Sequence, residues 1–334
     1  MSKNVGRQDV ARLAGVSEST VSRALANSPL ISEEIKQKVR GIAEELGYFP
    51  SRTATLFASN RSFSIGFVVP YYPTIMPFSR SYFPSLLDGL LLGGLEREYA
   101  ITIVFENNLG RYRSYYELIT SHSYDGLVFA ITKEDFPELD PLIDKGLPFV
   151  LVNNYRDGAA SIYARPEKGM AKAFEHAARL GHHRIGYITG DLRFKNGLDR
   201  LAAFETLAAQ YRMSTTIVEG DFSRTSGFAA YQGLGTPSLV MTGSDRQAFG
   251  FMQACSERGR RVPHDVSVIG YDNFQPAQTS APPLTTVDHP ITAMGKEATL
   301  MVIDMIEQKK PALQRWAETD FVVRKSTVPL MGEA

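Results

Sequence analysis

Apolar residues recur every three or four positions in three short stretches near the start of the chain. Over Gln8–Ala14, the residues Val10, Leu13 and Ala14 share one helical face, and Gly15 stops the helix and opens a tight turn. In the next stretch Val21, Ala24 and Leu25 share one face, while Glu18, Ser19, Ser22 and Arg23 share the other. Ser17 suits the N-cap of that second helix, because its side-chain oxygen can accept an orphan backbone N–H. A third helix is predicted after Ser32. Glu33 and Glu34 sit at its positive end, Ile35, Val39, Ile42 and Leu46 form its stripe, and Gly47 ends it. Two small helices joined by a turn of about three residues and braced by a third make a helix-turn-helix. In that arrangement the polar helix projects into the DNA major groove and the others supply the core. A plain three-helix bundle has the same periodicity.

From Ser64 the pattern changes. Short apolar runs predict buried parallel strands at Ile65–Val69, Ile101–Phe105, Leu127–Ile131, Phe149–Val152, Ile185–Thr189, Leu239–Thr242 and Val266–Ile269. Between them lie helical segments, including Pro84–Tyr99, Ser114–Thr120, Lys168–Leu180, Leu198–Tyr211, Gly227–Leu234 and Arg246–Arg258. This alternation predicts a doubly wound α/β body. Two such halves make a cleft at the carboxyl ends of their strands, where small ligands bind.

A length of 334 residues implies two or three domains. The 36 basic and 36 acidic side chains cancel, which argues against a uniformly basic surface but permits a local patch. Residues 1–61 hold a surplus of three positive charges. One cysteine excludes a disulfide framework and any multi-cysteine metal site within one chain. No apolar run reaches the ~18 residues of a membrane helix. Met1–Ser17 has no apolar segment like that of a signal peptide. A cytoplasmic protein is therefore expected, with no membrane partner. The chain contains no H-E-x-x-H, G-x-S-x-G, Walker or Gly-x-Gly-x-x-Gly motif, so no enzyme and no cofactor are expected. His182 and His183 are adjacent and point apart on a strand, which suits a structural or solvated role. Cys255 stands among apolar helical neighbours and reads as inert.

The wording of the first segment is more specific than its periodicity. The pattern D-V-A-x-x-A-G-V-S-x-x-T-V-S-R-x-L runs from Asp9 to Leu25, and E-L-G-Y-x-P follows from Glu45 to Pro50. This closely resembles the headpiece of the lactose-repressor (LacI/GalR) family of bacterial transcription regulators. The resemblance implies that Ser17–Ala26 is the recognition helix. The DNA-facing candidates are then Ser17, Glu18, Ser19, Thr20, Ser22 and Arg23. Glu18 and Ser19 stand at the family's variable base-reading positions. Glu18 can accept from a cytosine amino group, or it can simply offset the helix dipole. Arg23 can pair with guanine through two hydrogen bonds, and Thr20 and Ser22 suit phosphates. In the family a hinge helix follows, and a leucine seven residues after the proline wedges into the minor groove. Here that count from Pro50 reaches Phe57, with Leu56 one residue earlier. Phe is an accepted wedge but a bulkier one.

The body resembles the same family. ARLGHHRIGYITG (Ala178–Gly190), DRLAAF (Asp199–Phe204), EGDFSRTSGFAA (Glu219–Ala230), RRVPHDVSVIGYDN (Arg260–Asn273) and PPLTTVDHP (Pro282–Pro290) follow its order, as does the ending at Val322–Thr327. The implied fold is that of periplasmic sugar-binding proteins, with two lobes and crossovers near Tyr163, Asp288 and residue 320. The expected layout is a headpiece at 1–49 and a hinge at 50–62. An N-terminal lobe at 63–163 plus about 289–319 follows, and a C-terminal lobe at about 164–288 plus 320–330. No leucine-heptad tail follows Thr327, which favours a dimer. By the resemblance Arg200 clamps the effector and Asp272 accepts from its hydroxyls, while Phe222 flanks it. Ser244 and Asp245 stand at the mouth of a strand, and Tyr82 and Phe83 fall on the first loop after the first strand, so all four are further effector-binding candidates. Two features depart from the family: the loop Tyr71–Tyr82 is long, and Arg165 stands where an acid is usual. Arg165, joined by Arg80, would favour a sugar acid or sugar phosphate over a neutral sugar. The expectation is a ligand-responsive repressor, a homodimer on double-stranded operator DNA, whose effector is a carbohydrate or derivative. The alternative is a sugar-binding transport or receptor protein of the same α/β fold.

Overall fold

The computed structural model describes residues 5–25, 28, 30–48, 61–71, 77–106, 108–132, 136–309 and 312–330. They fall into two compact units. The first holds the residues up to Phe63 together with Ser121–Asp125, and the second holds Ser64–Thr120 and Gly126 onward.

The first unit is helical: α1 (Arg7–Ala14), α2 (Glu18–Leu25) and α3 (Glu33–Glu45). Gly15 takes the left-handed conformation at φ 69°, where a glycine carries no Cβ penalty, and ends α1. Ser17 Oγ accepts from the backbone N of Thr20 at 3.1 Å, and Ser32 Oγ accepts from that of Ile35. The core is small: Val10, Ala11, Ala14, Val21, Ala24, Val39 and Ala43. Leu13 is a correction to the expected apolar face. It is 55% exposed, and Ala11 is buried instead. A helix with two short partners buries a narrow arc, and the inward arc here is centred between Val10 and Ala14.

The second unit contains two six-stranded sheets. One has the order β11-β5-β4-β3-β1-β2, built from β1 (Ser64–Val69), β2 (Ala100–Phe105), β3 (Gly126–Phe129), β4 (Phe149–Val152), β5 (Ala160–Arg165) and β11 (Gln314–Glu318), all parallel. The other has the order β12-β10-β9-β8-β6-β7, from β6 (Arg184–Ile188), β7 (Ser214–Val218), β8 (Leu239–Thr242), β9 (Ser267–Asp272), β10 (Thr285–Asp288) and β12 (Asp320–Val322). Only β12 runs antiparallel to its neighbour. Three crossovers join the lobes, since β5, β10 and β11 are each followed by an element of the other lobe. The central strands β1, β3, β4 and β8 are buried along their whole length, as their unbroken apolar runs require. Five strands escaped the apolar-run reading: β5, β7, β10, β11 and β12. The outer strands β7, β11 and β12 face solvent and carry polar residues, and β10 is buried but built of Thr285 and Thr286. The helices include α4 (Tyr82–Glu96), α5 (Tyr115–Thr120), α6 (Asp140–Asp144), α7 (Glu167–Arg179), α8 (Lys195–Gln210), α9 (Arg224–Ala229), α10 (Asp245–Glu257), α11 (Gln275–Thr279) and α12 (Ile291–Ile306). Parallel strands separated by helices put the carboxyl ends of both sheets at one seam. Among the described residues, no helix is long and apolar enough to cross a membrane.

Candidate functional site

A cavity of about 270 Å³ lies at that seam, lined by loops that follow β1, β3, β6, β7, β8 and β9. Its centre is Arg200, on α8 and only 4% exposed. One guanidinium nitrogen donates to the Gly243 carbonyl at 2.5 Å and stands 3.6 Å from Asp272 Oδ1. The other donates to His289 Nδ1 at 3.2 Å. The guanidinium lies 3.7 Å over the Tyr271 ring and 5.4 Å from that of Phe222. Burial opposes the charge on Arg200, but the Tyr271 oxygen and the Asp272 carboxylate outweigh it and raise its pKa. The hydrogen bonds from Arg200 to Gly243 and His289 help to hold an ion pair this deep.

The far side of His289 reaches the other lobe. Its Nε2 lies 3.2 Å from Asn153 Oδ1, and Asn153 Nδ2 donates to the Tyr82 hydroxyl at 2.8 Å. Tyr82 in turn donates to the Ala130 carbonyl at 2.8 Å. Burial lowers the pKa of His289, so the neutral ring accepts at Nδ1 and donates at Nε2. A continuous polar chain thus runs from Arg200 in one lobe to Tyr82 in the other.

Phe222 and Asp272 hold positive φ values of 63° and 125°. Such conformations cost free energy and persist where the surroundings over-determine them. Gly190 makes room for the Phe222 ring, because a Cβ there would lie 2.1 Å from it. Ser244 caps α10 by accepting from the backbone N of Gln247, and its hydroxyl donates to the Phe222 carbonyl at 3.2 Å.

The cavity therefore collects Tyr82, Phe83, Arg200, Phe222, Ser244 and Asp272 of the expected effector set, and Arg80 beside them. Two expected residues are elsewhere. Asp245 is wholly buried beneath the wall, where it accepts from Phe274 N at 2.9 Å and Thr286 Oγ1 at 2.5 Å. Burial, with the nearby Asp272 charge, pushes its pKa well above the usual carboxylate range. It anchors β9 and β10 to the start of α10 rather than facing a ligand. Arg165 is exposed at the carboxyl end of β5, with its guanidinium 4.0 Å over the Trp316 ring of neighbouring β11. The register that puts Trp316 opposite Tyr163 sets that stacking and turns the arginine away from the cavity. Asp191, Arg193, Asn196, Asp221 and Arg246 also line the cavity and were not singled out from sequence. The signal that could have found them is position, since each lies just past the carboxyl end of a strand or in the first turn of the helix after it.

Elsewhere, His182 is buried between Ser238 Oγ and the Val328 carbonyl, both at 3.0 Å, while His183 is exposed. Burial raises the Cys255 thiol to about 11. Among the described residues, no group of three or more His, Cys, Asp or Glu could hold a metal ion.

In the first unit, Ser19 and Arg23 are exposed on the outer face of α2, and Ser17, Glu18, Thr20 and Ser22 border them. Arg7 spans this face. Its Nε donates to Glu18 Oε2 at 3.0 Å and its Nη1 to Ser22 Oγ at 3.2 Å. Ala26, Leu56 and Phe57 lie outside the described residues.

Comparison with known proteins agrees with both halves. Residues 8–51 match the description "Bacterial regulatory proteins, lacI family", and residues 174–327 match "Periplasmic binding protein-like domain". The chain is 30% identical over 331 residues to a probable HTH-type transcriptional repressor, ExuR, of Bacillus subtilis (strain 168), covering 96% of this chain and 97% of that one. Its fold is similar to that of the Lac repressor dimer bound to operator and the anti-inducer ONPF. The TM-score is 0.81 at 24% identity, over 98% of this chain and 100% of that chain. It is also similar to the transcriptional regulator CelR in complex with cellobiose, with a TM-score of 0.69 at 25% identity over 97% and 100%.

Proposed function

This chain belongs to the LacI family of bacterial regulatory proteins, and from that premise we propose that it represses transcription under the control of a small molecule bound in the interlobe cavity. The observation that carries the reading is the pairing of two features in one chain: a helix-turn-helix with an outward polar face, and a cavity built around a buried arginine–aspartate pair. A transport protein needs the second and has no use for the first. Binding of cellobiose by the similar regulator CelR supports a carbohydrate or a derivative as the effector.

In this reading α2 enters the major groove. Arg23 and Ser19 read base edges, Glu18 reads one when released from Arg7, and Ser17, Thr20 and Ser22 position phosphates. Leu56 or Phe57 would wedge the minor groove from the hinge at 50–62. Two headpieces on a homodimer meet a pseudo-palindromic operator, one per half-site. Exposed Leu91, Leu92 and Leu95 on α4 and Ile103 on β2 support pairing of the lobes. In the cavity Arg200 donates to effector hydroxyls, Asp272 accepts from them, and the Phe222 and Phe83 rings cover an apolar sugar face. Effector binding selects between two global states that differ in operator affinity. No chemical step is part of this role.

The test is a gel shift with the full chain and operators selected from random DNA. A selected palindromic sequence, bound tightly and released or tightened by a carbohydrate, is the expected result. Failure to select any sequence would remove the repressor reading.

A further inference from the structure

Four arginines and three aspartates line the cavity. Two of the arginines are held by partners within the chain. Asp191 clamps Arg193 through both oxygens, with contacts of 2.6–3.2 Å, and that arginine side chain is 73% exposed at the rim. Arg200 is held by Gly243, His289 and Asp272. Arg246 lies beside Arg80, with the carboxylates of Asp221 and Asp272 near enough to act on it. Asp221 is itself exposed and accepts from the backbone N of Ser223 at 2.9 Å. One terminal nitrogen of Arg246 is buried and has no hydrogen-bond partner among the described residues. Asn196 Oδ1, in the same wall, is likewise buried and unpartnered. Buried polar atoms of a native protein are nearly always paired, so these two ask for a group from outside the chain.

We propose that the effector is an acidic carbohydrate derivative, that its carboxylate or phosphate sits against Arg246 with Arg80 beside it, and that Asn196, Arg200 and Asp272 take its hydroxyls. The proposal rests on the effector reading above and adds the charge of the ligand. Burial and the charges of Arg80 and Arg224 lower the pKa of Arg246, outweighing the opposing pull of Asp221 and Asp272. An anion placed there relieves the repulsion and supplies the acceptor that the buried nitrogen lacks. Charge-assisted bonds of this kind are about twice as strong as neutral ones. The donor is Arg246, in the first turn of α10, and not Arg165, which is occupied on Trp316.

The experiment is calorimetry on the full-length protein with glucose and galactose, their uronic acids and their 6-phosphates, and inorganic phosphate as a bare anion. The same compounds are added to the operator gel shift. One acid or phosphate ester should bind at least tenfold more tightly than its neutral parent, and Arg246→Gln should remove that advantage. Arg246→Lys should keep part of it, and Arg80→Gln should lose part. The uronic-acid and phosphate arms decide which anion fits. Inorganic phosphate should raise the melting temperature of the wild type more than that of Arg246→Gln, a readout that does not need the cognate sugar. Melting curves of the unliganded variants check that they fold. A neutral hexose that binds as tightly as its acid, indifferent to Arg246→Gln and still able to change operator binding, would overturn the anionic assignment and leave the regulator intact. Absence of any Arg246-dependent binding, phosphate included, overturns it too. Loss of the broader reading is distinguishable, because then no operator sequence is selected at all.

Discussion

The guanidinium groups in this protein show how the same side chain takes different tasks by position. Arg23 projects from α2 into solvent, beside the network that Arg7 makes with Glu18 and Ser22. Arg23→Ala should cost about 1–3 kcal/mol on the selected operator and relax preference at one base pair. Binding titrations against single-base operator variants check this, and unchanged affinity would mean that α2 is not the reader. Glu18 is tied to Arg7 by an exposed pair of the kind worth about 0.2–1 kcal/mol, which DNA can displace. Arg200 is the opposite case. Its removal leaves Asp272 buried without its cation and His289 without a donor, so Arg200→Met should lower stability by about 3 kcal/mol or more. The same variant should abolish the effector response. Denaturant melts beside gel shifts separate the two effects, and a stable variant that still responds would contradict the assigned role.

At the scale of elements, sequence periodicity located most helices within two or three residues, because an amphipathic stripe follows from burying one face. It located the central strands because burial on both faces leaves an unbroken apolar run, and missed edge strands such as β7, whose Ser214, Thr215 and Thr216 face water. It placed Leu13 in the headpiece core, where three small helices have room for Ala11 instead. On α4 the exposed Leu91, Leu92 and Leu95 exceed what a solvent-facing helix needs, since Leu95 alone is 77% exposed. Leu95→Asp should therefore shift the protein from dimer toward monomer and weaken operator binding, because two half-sites are no longer gripped together. Sedimentation velocity reads this directly. An unchanged sedimentation coefficient would place the dimer contact elsewhere.

At the scale of the whole molecule, stability responds to buried histidines that resist protonation. Burial holds the pKa of His182 below its usual value, while the unfolded chain protonates near ~6.5. The folded state then binds fewer protons than the unfolded state, so the contribution of His182 is present above that pH and is lost as pH falls below it. Asp245 acts in the opposite sense, since its folded pKa is raised and its contribution fades as pH rises through that value. Comparing wild type with His182→Asn isolates the histidine, which lies away from the cavity. The variant should lose less stability than wild type between pH 7.5 and 5.5 in urea melts. Parallel pH profiles would show that His182 carries no such linkage.

The chain's own order of residues determined the family, the helix-turn-helix and the alternating α/β body. Each depends on local spacing: a cap, a turn glycine, a stripe, an apolar run. It also marked Arg200, Asp272 and Phe222, which sit in motifs that survive as contiguous words. The make-up of the cavity wall was decided only by tertiary structure. Residues from Arg80 to Phe274 meet there because two sheets present their strand ends to one seam. Arg165 and Arg246 look alike in the sequence, and each lies near a strand end. Strand register stacks the first on Trp316, and the helix start capped by Ser244 directs the second into the cavity. Side-chain direction comes from register and from helix entry, and neither is a property of a residue and its near neighbours.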